Sequence, residues 1–360
     1  MAMAMGMLTK KVVATKIVGA DGTGDFLDIQ TAIDALPAGG GVVYVKEGTY
    51  EIDEAITIQK SNVALMGAGA ATNIKLATDS DSHCVVLGDN STIRNGIVIS
   101  DILVDGNKAN NAGAINGIYL AGKIEDSKIT GCWVKDCDQH GIATHQDCER
   151  NIITENTCAG NDDFGIYVID SDEPNIISNN SCSSNLHSGI YVGSTTGPTY
   201  TIGNVCSQNS YYGIYAGTKD SVINSNMCVA NTLSGIYNRY GLRNNLIGNT
   251  CKQNGQHGIL LDIAASNTVT GNTCTRNSQT TDNTYDGIRL TGACKYNSIT
   301  ANTIYKGDFG NSHKYGINEE AATADYNIIL GNTMYQGADT AGIRVQGANT
   351  INEHNVVQGI

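Results

Sequence analysis

The sequence predicts an all-β fold, a parallel β-solenoid, and three observations predict it. Glycine followed by isoleucine recurs at Gly117, Gly141, Gly165, Gly189, Gly213, Gly235, Gly258, Gly287, Gly316 and Gly342, with spacings of 24, 24, 24, 24, 22, 23, 29, 29 and 26 residues. A second signature keeps step with it, in Asn156-Thr157-Cys158, Asn180-Ser181-Cys182, Asn204-Val205-Cys206, Asn226-Met227-Cys228, Asn249-Thr250-Cys251 and Asn272-Thr273-Cys274, with Ile304 and Met334 replacing the cysteine later. Each unit reads Asn-x-Ile-x-x-Asn-x-Cys, a polar loop, then Gly-Ile-Tyr-Val. These are short alternating runs broken by Asn and Gly turns, with no room for an ordinary helix. Each repeat is therefore one coil, and stacking coils places equivalent residues about 4.8 Å apart.

Residues 1–13 read as a leader or a disordered N-terminus, and no secretory signal is recognised, because the apolar Met1 to Thr9 precede Lys10 and Lys11 instead of following a basic region. Residues 14–360 read as one domain. It opens with a short amphipathic helix, capped by Asp25, whose apolar face is Phe26, Ile29, Ala32, Ile33 and Leu36; Pro37 and the Gly39-Gly40-Gly41 turn end it. The coils follow without a linker. The end, Asn352 to Ile360, offers no comparable plug, so the expectation is a truncated chain or a second subunit covering it. No apolar run is long enough to span a membrane.

Eleven cysteines could suggest disulfides, but six share one column, and stacked side chains point in parallel, which is poor geometry for bridging. The reading is a ladder of buried free thiols, with no metal site, since Cys-x-x-Cys pairs are lacking. The net charge of −13 disfavours nucleic acid. From Asp126 to Glu173 eleven acids face three bases, whereas from Pro174 to Thr281 only Asp220 and Asp262 oppose Lys219, Arg239, Arg243, Lys252 and Arg276. That middle segment suits an anionic chain.

The opening Val18-Gly19-Ala20-Asp21-Gly22-Thr23-Gly24-Asp25-Phe26 and the coils after it resemble the right-handed parallel β-helix proteins of the pectin-lyase-like superfamily, from about Ala14 to the end. The resemblance implies a single-stranded right-handed β-helix of about a dozen coils, the N-terminal helix plugging its open end. It also implies a polysaccharide partner, through lyase, epimerase, hydrolase, esterase or tailspike chemistry. Calcium enters only through the resemblance, and no calcium motif accompanies it; the residues themselves call for no cofactor. His140-Gly141-Ile142-Ala143-Thr144-His145 keeps the glycine and final histidine of the mannuronan-epimerase run Tyr-Gly-x-Asp-Pro-His and lacks its tyrosine and aspartate. Leu186-His187-Ser188-Gly189 lacks the arginine of the later Arg-His-Gly, and Asp162-Asp163 echoes the polygalacturonase Asp-Asp pair.

Alternation across a strand turns each buried isoleucine inward and the next residue outward, so Tyr167, Tyr191, Tyr215 and Tyr237 form an exposed column. The residues just before the glycines, among them His140, Phe164, Tyr212 and His257, are expected to face outward beside it. A sugar unit is about as long as the coil spacing of roughly 4.8 Å, so a glycan could lie along this face, stacking on the rings. The candidate catalytic residues are His140, His145, Asp163, Tyr167, Asp170 and His187, which supply proton carriers and carboxylates on adjacent coils. The candidate substrate-binding residues are Tyr191, Tyr212, Tyr215, Tyr237, Arg239 and His257. The functional expectation is a lyase or hydrolase acting on a uronate-containing glycan. The alternative is a non-catalytic glycan-binding spike or adhesin, or a structural β-helix, with a homotrimer as the expected assembly and a secreted or virion-associated setting.

Overall fold

The computed structural model describes residues 16–193, 197–307, 311–335 and 340–358, so the expected leader lies outside the described residues. The chain winds into a right-handed parallel β-helix. One sheet of twelve strands runs from Ile56–Ile58 at one end to Ala341–Arg344 at the other and, from Ile118–Leu120 onward, collects the Gly-Ile runs. The two Asn-bounded runs of each coil build the other two sides. The long strands Val63–Leu76 and Val98–Asp105 join those sides into one hydrogen-bonded network. Register is column on column, Ile166 against Ile190 against Ile214 and Cys158 against Cys182 against Cys206.

The columns meet in one contact. A Cβ built on Gly165 would lie 2.7 Å from the Gly189 carbonyl oxygen, 2.9 Å from the Asn185 amide nitrogen and 3.1 Å from the Cys182 Cβ, all on the next coil. The glycine is demanded by space, since its backbone is not left-handed. Glycine, asparagine and cysteine thus recur together because each coil seats its glycine on the asparagine and cysteine above.

Three corners per coil share one construction: a residue in the left-handed region followed by an inward asparagine. Glu155, Asn179, Ser225 and Ala301 (φ 53–59°) precede Asn156, Asn180, Asn226 and Asn302; Arg243, Tyr296 and Tyr326 do the same at a second corner, Ser184 and Gln253 at a third. Holding a non-glycine residue there costs roughly 1–2 kcal/mol, which the buried amide ladders offset. Asn180 Nδ2 donates to Asn204 Oδ1 (3.0 Å) and to the Ile153 carbonyl (2.8 Å), while Asn180 N–H also donates to Asn204 Oδ1 (2.9 Å). Replacing Asn204 by Leu strands the Asn180 donors and the Ile177 carbonyl that accepts from Asn204 (2.9 Å). We expect a loss of about 3 kcal/mol or more of unfolding free energy, read by urea denaturation.

All eleven cysteines are free and buried. Val134 precedes Cys158 in the column and Ile304, Met334 and Val357 follow Cys274, so the thiol occupies a position that elsewhere takes an aliphatic side chain. At the N-terminus a helix, α1 (Ile29–Asp34), covers the core with Ile29, Ala32 and Ile33. Its cap is Asp28, which accepts from Thr31 N–H (2.7 Å), and not Asp25, whose carboxylate instead accepts from Ile17 N–H (2.9 Å). No helix among the described residues is long and apolar enough to cross a membrane.

Candidate functional site

The tyrosine column forms on the outer side of the Gly-Ile sheet, with Tyr167, Tyr191, Tyr215 and Tyr237 in register. Their rings do not offer their faces to solvent as a sugar-stacking platform would. Centroids of His140 and Tyr167, Tyr167 and Tyr191, and Tyr191 and Tyr215 lie 4.4, 5.0 and 4.7 Å apart at interplanar angles of 18–22°. The Tyr167, Tyr191 and Tyr215 rings stack on one another along the axis and present edges outward, while Tyr237 meets Tyr215 edge to face (5.1 Å, 88°). Burial pushes the Tyr167, Tyr191 and Tyr237 phenols up, Tyr191 to about 12, so these stay protonated donors.

The column before the glycines corrects the expected orientation. His140, Phe164, Ser188, Ser234, His257 and Asp286 are all buried, and Tyr212 and Tyr315 are half-buried. All of these except Tyr315, which opens the strand Tyr315–Glu319, sit at a corner before the strand begins, where alternation no longer governs direction. His257, read as substrate-binding, lies inside, its Nδ1 accepting from Asp286 N–H (2.9 Å). Tyr237 is buried too, and its hydroxyl donates to Asp262 (2.7 Å). Tyr212 packs against Tyr237 (4.6 Å) and so supports the column from its flank.

One position breaks the stack. Tyr119 and Tyr167 belong to the column, but the rung between them is Ala143. The gap is a cavity of about 220 Å³ lined by Asn116, Tyr119, Gln139, His140, Ala143, Thr144, His145, Tyr167 and Ile169. His145 stands at its edge, 6.3 Å from Tyr119 ring to ring, and its Nδ1 has no hydrogen-bond partner. His140 closes the floor. Its Nδ1 accepts from Phe164 N–H (3.4 Å) and lies 3.5 Å from the Asp163 carboxyl. Burial, aided by His187, lowers His140 to about 3, so it is neutral; burial raises Asp163 to about 6. Asp163 stacks one coil above Gln139 at the rim.

Of the remaining candidates, His187 stacks on Tyr211 (4.0 Å) one coil beyond Asp163, and Asp170 occupies a left-handed corner after the Tyr167 strand. A two-carboxylate arrangement is weak: Asp162 is paired with Lys108 (2.6 Å), and Asp138 accepts from Gly113 N–H (2.8 Å). A larger hollow of about 500 Å³ lies over Ser91, Ile93, Lys123, Glu125, Asp147 and Glu149. Its carboxylates crowd, Glu149 being raised by burial and by Glu125, so it repels an anionic chain. Sequence reading missed Tyr119, Ala143, Asn116 and Gln139, although Gly117-Ile118-Tyr119 repeats the signature that would have found the first.

A family model described as periplasmic copper-binding protein (NosD) matches residues 52–219 and 198–359. Alginate lyase 7 of Azotobacter vinelandii is 40% identical over 117 residues, 29% of this chain and 14% of that protein. Mannuronan C5-epimerase AlgE5 of the same organism is 32% identical over 151 residues, 36% of this chain and 15% of that protein. The matched segments thus span about a seventh of these relatives. Among solved structures, the A-module of the Azotobacter vinelandii mannuronan C-5 epimerase AlgE6 superposes with a TM-score of 0.84 at 20% identity, covering 95% of this chain and 99% of that one, which shows the shared fold.

Copper does not fit the donors present. Among the described residues no three His, Cys, Asp or Glu side chains are grouped to hold a metal ion, and every thiol points into the packed interior.

Proposed function

We propose, for a chain that belongs to the NosD family, a polysaccharide-active enzyme of the lyase type, cleaving a uronate-containing glycan at the notch over Ala143. The observation that carries it is the alanine rung that interrupts the tyrosine column between Tyr119 and Tyr167, leaving a hollow bordered by two imidazoles and two phenols. The alginate lyase and mannuronan epimerase similarities support an acidic glycan as the substrate class.

The residues divide the work by protonation. His145, with a free Nδ1, takes the proton from C5 of the uronate. The electron pair forms the C4–C5 double bond as the C4–oxygen bond breaks, and Tyr167, its phenol held protonated by burial, delivers a proton to the departing oxygen. Asp163, protonated below about pH 6, donates to the substrate carboxylate and eases proton removal. His140 stacks beneath Tyr167 and orients it.

The test follows unsaturated uronate absorbance and new reducing ends on uronate and neutral polysaccharides. His145→Ala and Tyr167→Phe should each lower the rate on the order of 10²- to 10⁴-fold without unfolding the protein. The rate should fall as pH rises through about 6, where Asp163 loses its proton, and Asp163→Asn should flatten that limb. New ends without unsaturation would replace the lyase by a hydrolase, and binding with neither signal would leave a glycan-binding spike.

A further inference from the structure

Beside the tyrosine column runs a second outward column, Ile169, Gly193, Gly217 and then Arg239, with Asp262 after it. Neither glycine is in the left-handed region, so neither is required by backbone conformation. A Cβ on Gly193 would strike the Tyr191 hydroxyl at 2.5 Å, so the missing side chain lets that ring lean over the strand; on Gly217 the nearest contacts are an ordinary 3.5 and 3.6 Å. The result is a shallow trough, floored by the Tyr191 ring over the buried Gly193 and by half-buried backbone at Gly217, leading from the Ile169 edge of the notch to Arg239.

Arg239 is held but not spent. Asp262 lies 3.6 Å from its Nε, which is buried without a hydrogen-bond partner, and already accepts the Tyr237 hydroxyl (2.7 Å); Tyr240 lies under the guanidinium and takes one N–H (3.2 Å), and Tyr215 borders it as a second partner, which leaves the outer N–H groups for a ligand. By contrast Arg243 is engaged at both Nε and Nη2 by Asp220 (2.6 and 2.7 Å), and Arg289 is bound to Glu320. A planar fork fixed from behind, with N–H groups unspent and its side chain 42% exposed, suits a carboxylate.

Resting on the proposed glycan reading, we infer that Arg239 anchors a uronate carboxylate at the far end of the trough, so that full affinity requires a chain spanning notch and anchor together. Four coil steps separate the Ala143 and Arg239 rungs, about 19 Å at the strand spacing, so the chain must reach about five sugars.

Calorimetric titration with mannuronate and galacturonate oligomers of two to eight units, and with neutral cello-oligosaccharides, tests this on the full chain. The wild type should gain about tenfold in affinity as the uronate series passes about five units, as expected of one charge-assisted contact in partly exposed surroundings. Arg239→Ala should keep its thermal midpoint and lose the step, Arg239→Lys should recover part of it, and the neutral series should show none. A step that survives Arg239→Ala overturns the anchor while leaving the notch intact. Failure of every uronate oligomer to bind, at any length, overturns the glycan reading and the anchor with it.

Discussion

Ala143→Tyr is expected to abolish turnover, by on the order of 10³-fold or more, while leaving the solenoid at least as stable as before. The substitution completes the column. Ala143 pairs in register with Tyr119 and Tyr167, so a tyrosine there enters a stack whose neighbouring rungs repeat at 4.7 to 5.0 Å. His140 does not forbid it, because the coil of Phe164 already holds an aromatic before the glycine and a tyrosine after it, 5.3 Å apart. Each added ring pair contributes about 0.5–1.5 kcal/mol beyond burial, so the thermal midpoint should hold or rise. What disappears is the cavity of about 220 Å³ that would seat the sugar between His145 and Tyr167. Calorimetry and the unsaturated-uronate assay on the same preparation read both halves. Undiminished turnover in this variant would move the site away from the notch, whatever the behaviour of His145.

The coils were legible because their period is written in glycine, isoleucine and asparagine, and the isoleucines at Ile166, Ile190, Ile214 and Ile236 are fully buried as alternation requires. The tyrosine column was legible for the same reason. The column before the glycines was not. At His140 and His257 the chain is turning, and side-chain direction there depends on how the corner folds over the next coil, which no two-residue period encodes. Nor could the sequence show that outward tyrosines at coil spacing would stack face to face and so turn edges, and not faces, to a ligand. The notch itself is an absence, one alanine in a run of tyrosines. Finding it required counting Tyr119 into the column so that Ala143 became a gap inside a row. Asparagine was read as a turn signal, and its second role, an internal amide ladder that satisfies the corners, follows from where the coil above places its carbonyls.

The same coupling between coils predicts that Gly189→Ala is strongly damaging for the addition of a single methyl group. A Cβ there lies 2.8 Å from the Gly213 carbonyl oxygen, 2.9 Å from the Asn209 amide nitrogen and 3.0 Å from the Cys206 Cβ. Each is backbone or a fully buried side chain, so nothing flexible can yield. Relief requires the coils to part, and parting them stretches the Asn185–Asn209 bonds, in which Asn185 N–H and Nδ2 donate to Asn209 Oδ1 at 3.1 and 2.9 Å. Overpacking of a close-packed interior costs about 1–3 kcal/mol, occasionally more, and a loosened buried amide adds about 1–3 kcal/mol. We therefore expect a loss of about 4 kcal/mol. Gly39→Ala is the matched control: no atom lies within 4 Å of its Cβ and its backbone is not left-handed, so it should be neutral or stabilising by a few tenths of a kcal/mol through the unfolded chain. Because each coil touches only its neighbours, the damage should also divide the molecule. Hydrogen exchange should show amides flanking Gly189 opening before those near α1, and a uniform loss of protection along the whole solenoid would contradict nearest-neighbour coupling as its source of stability.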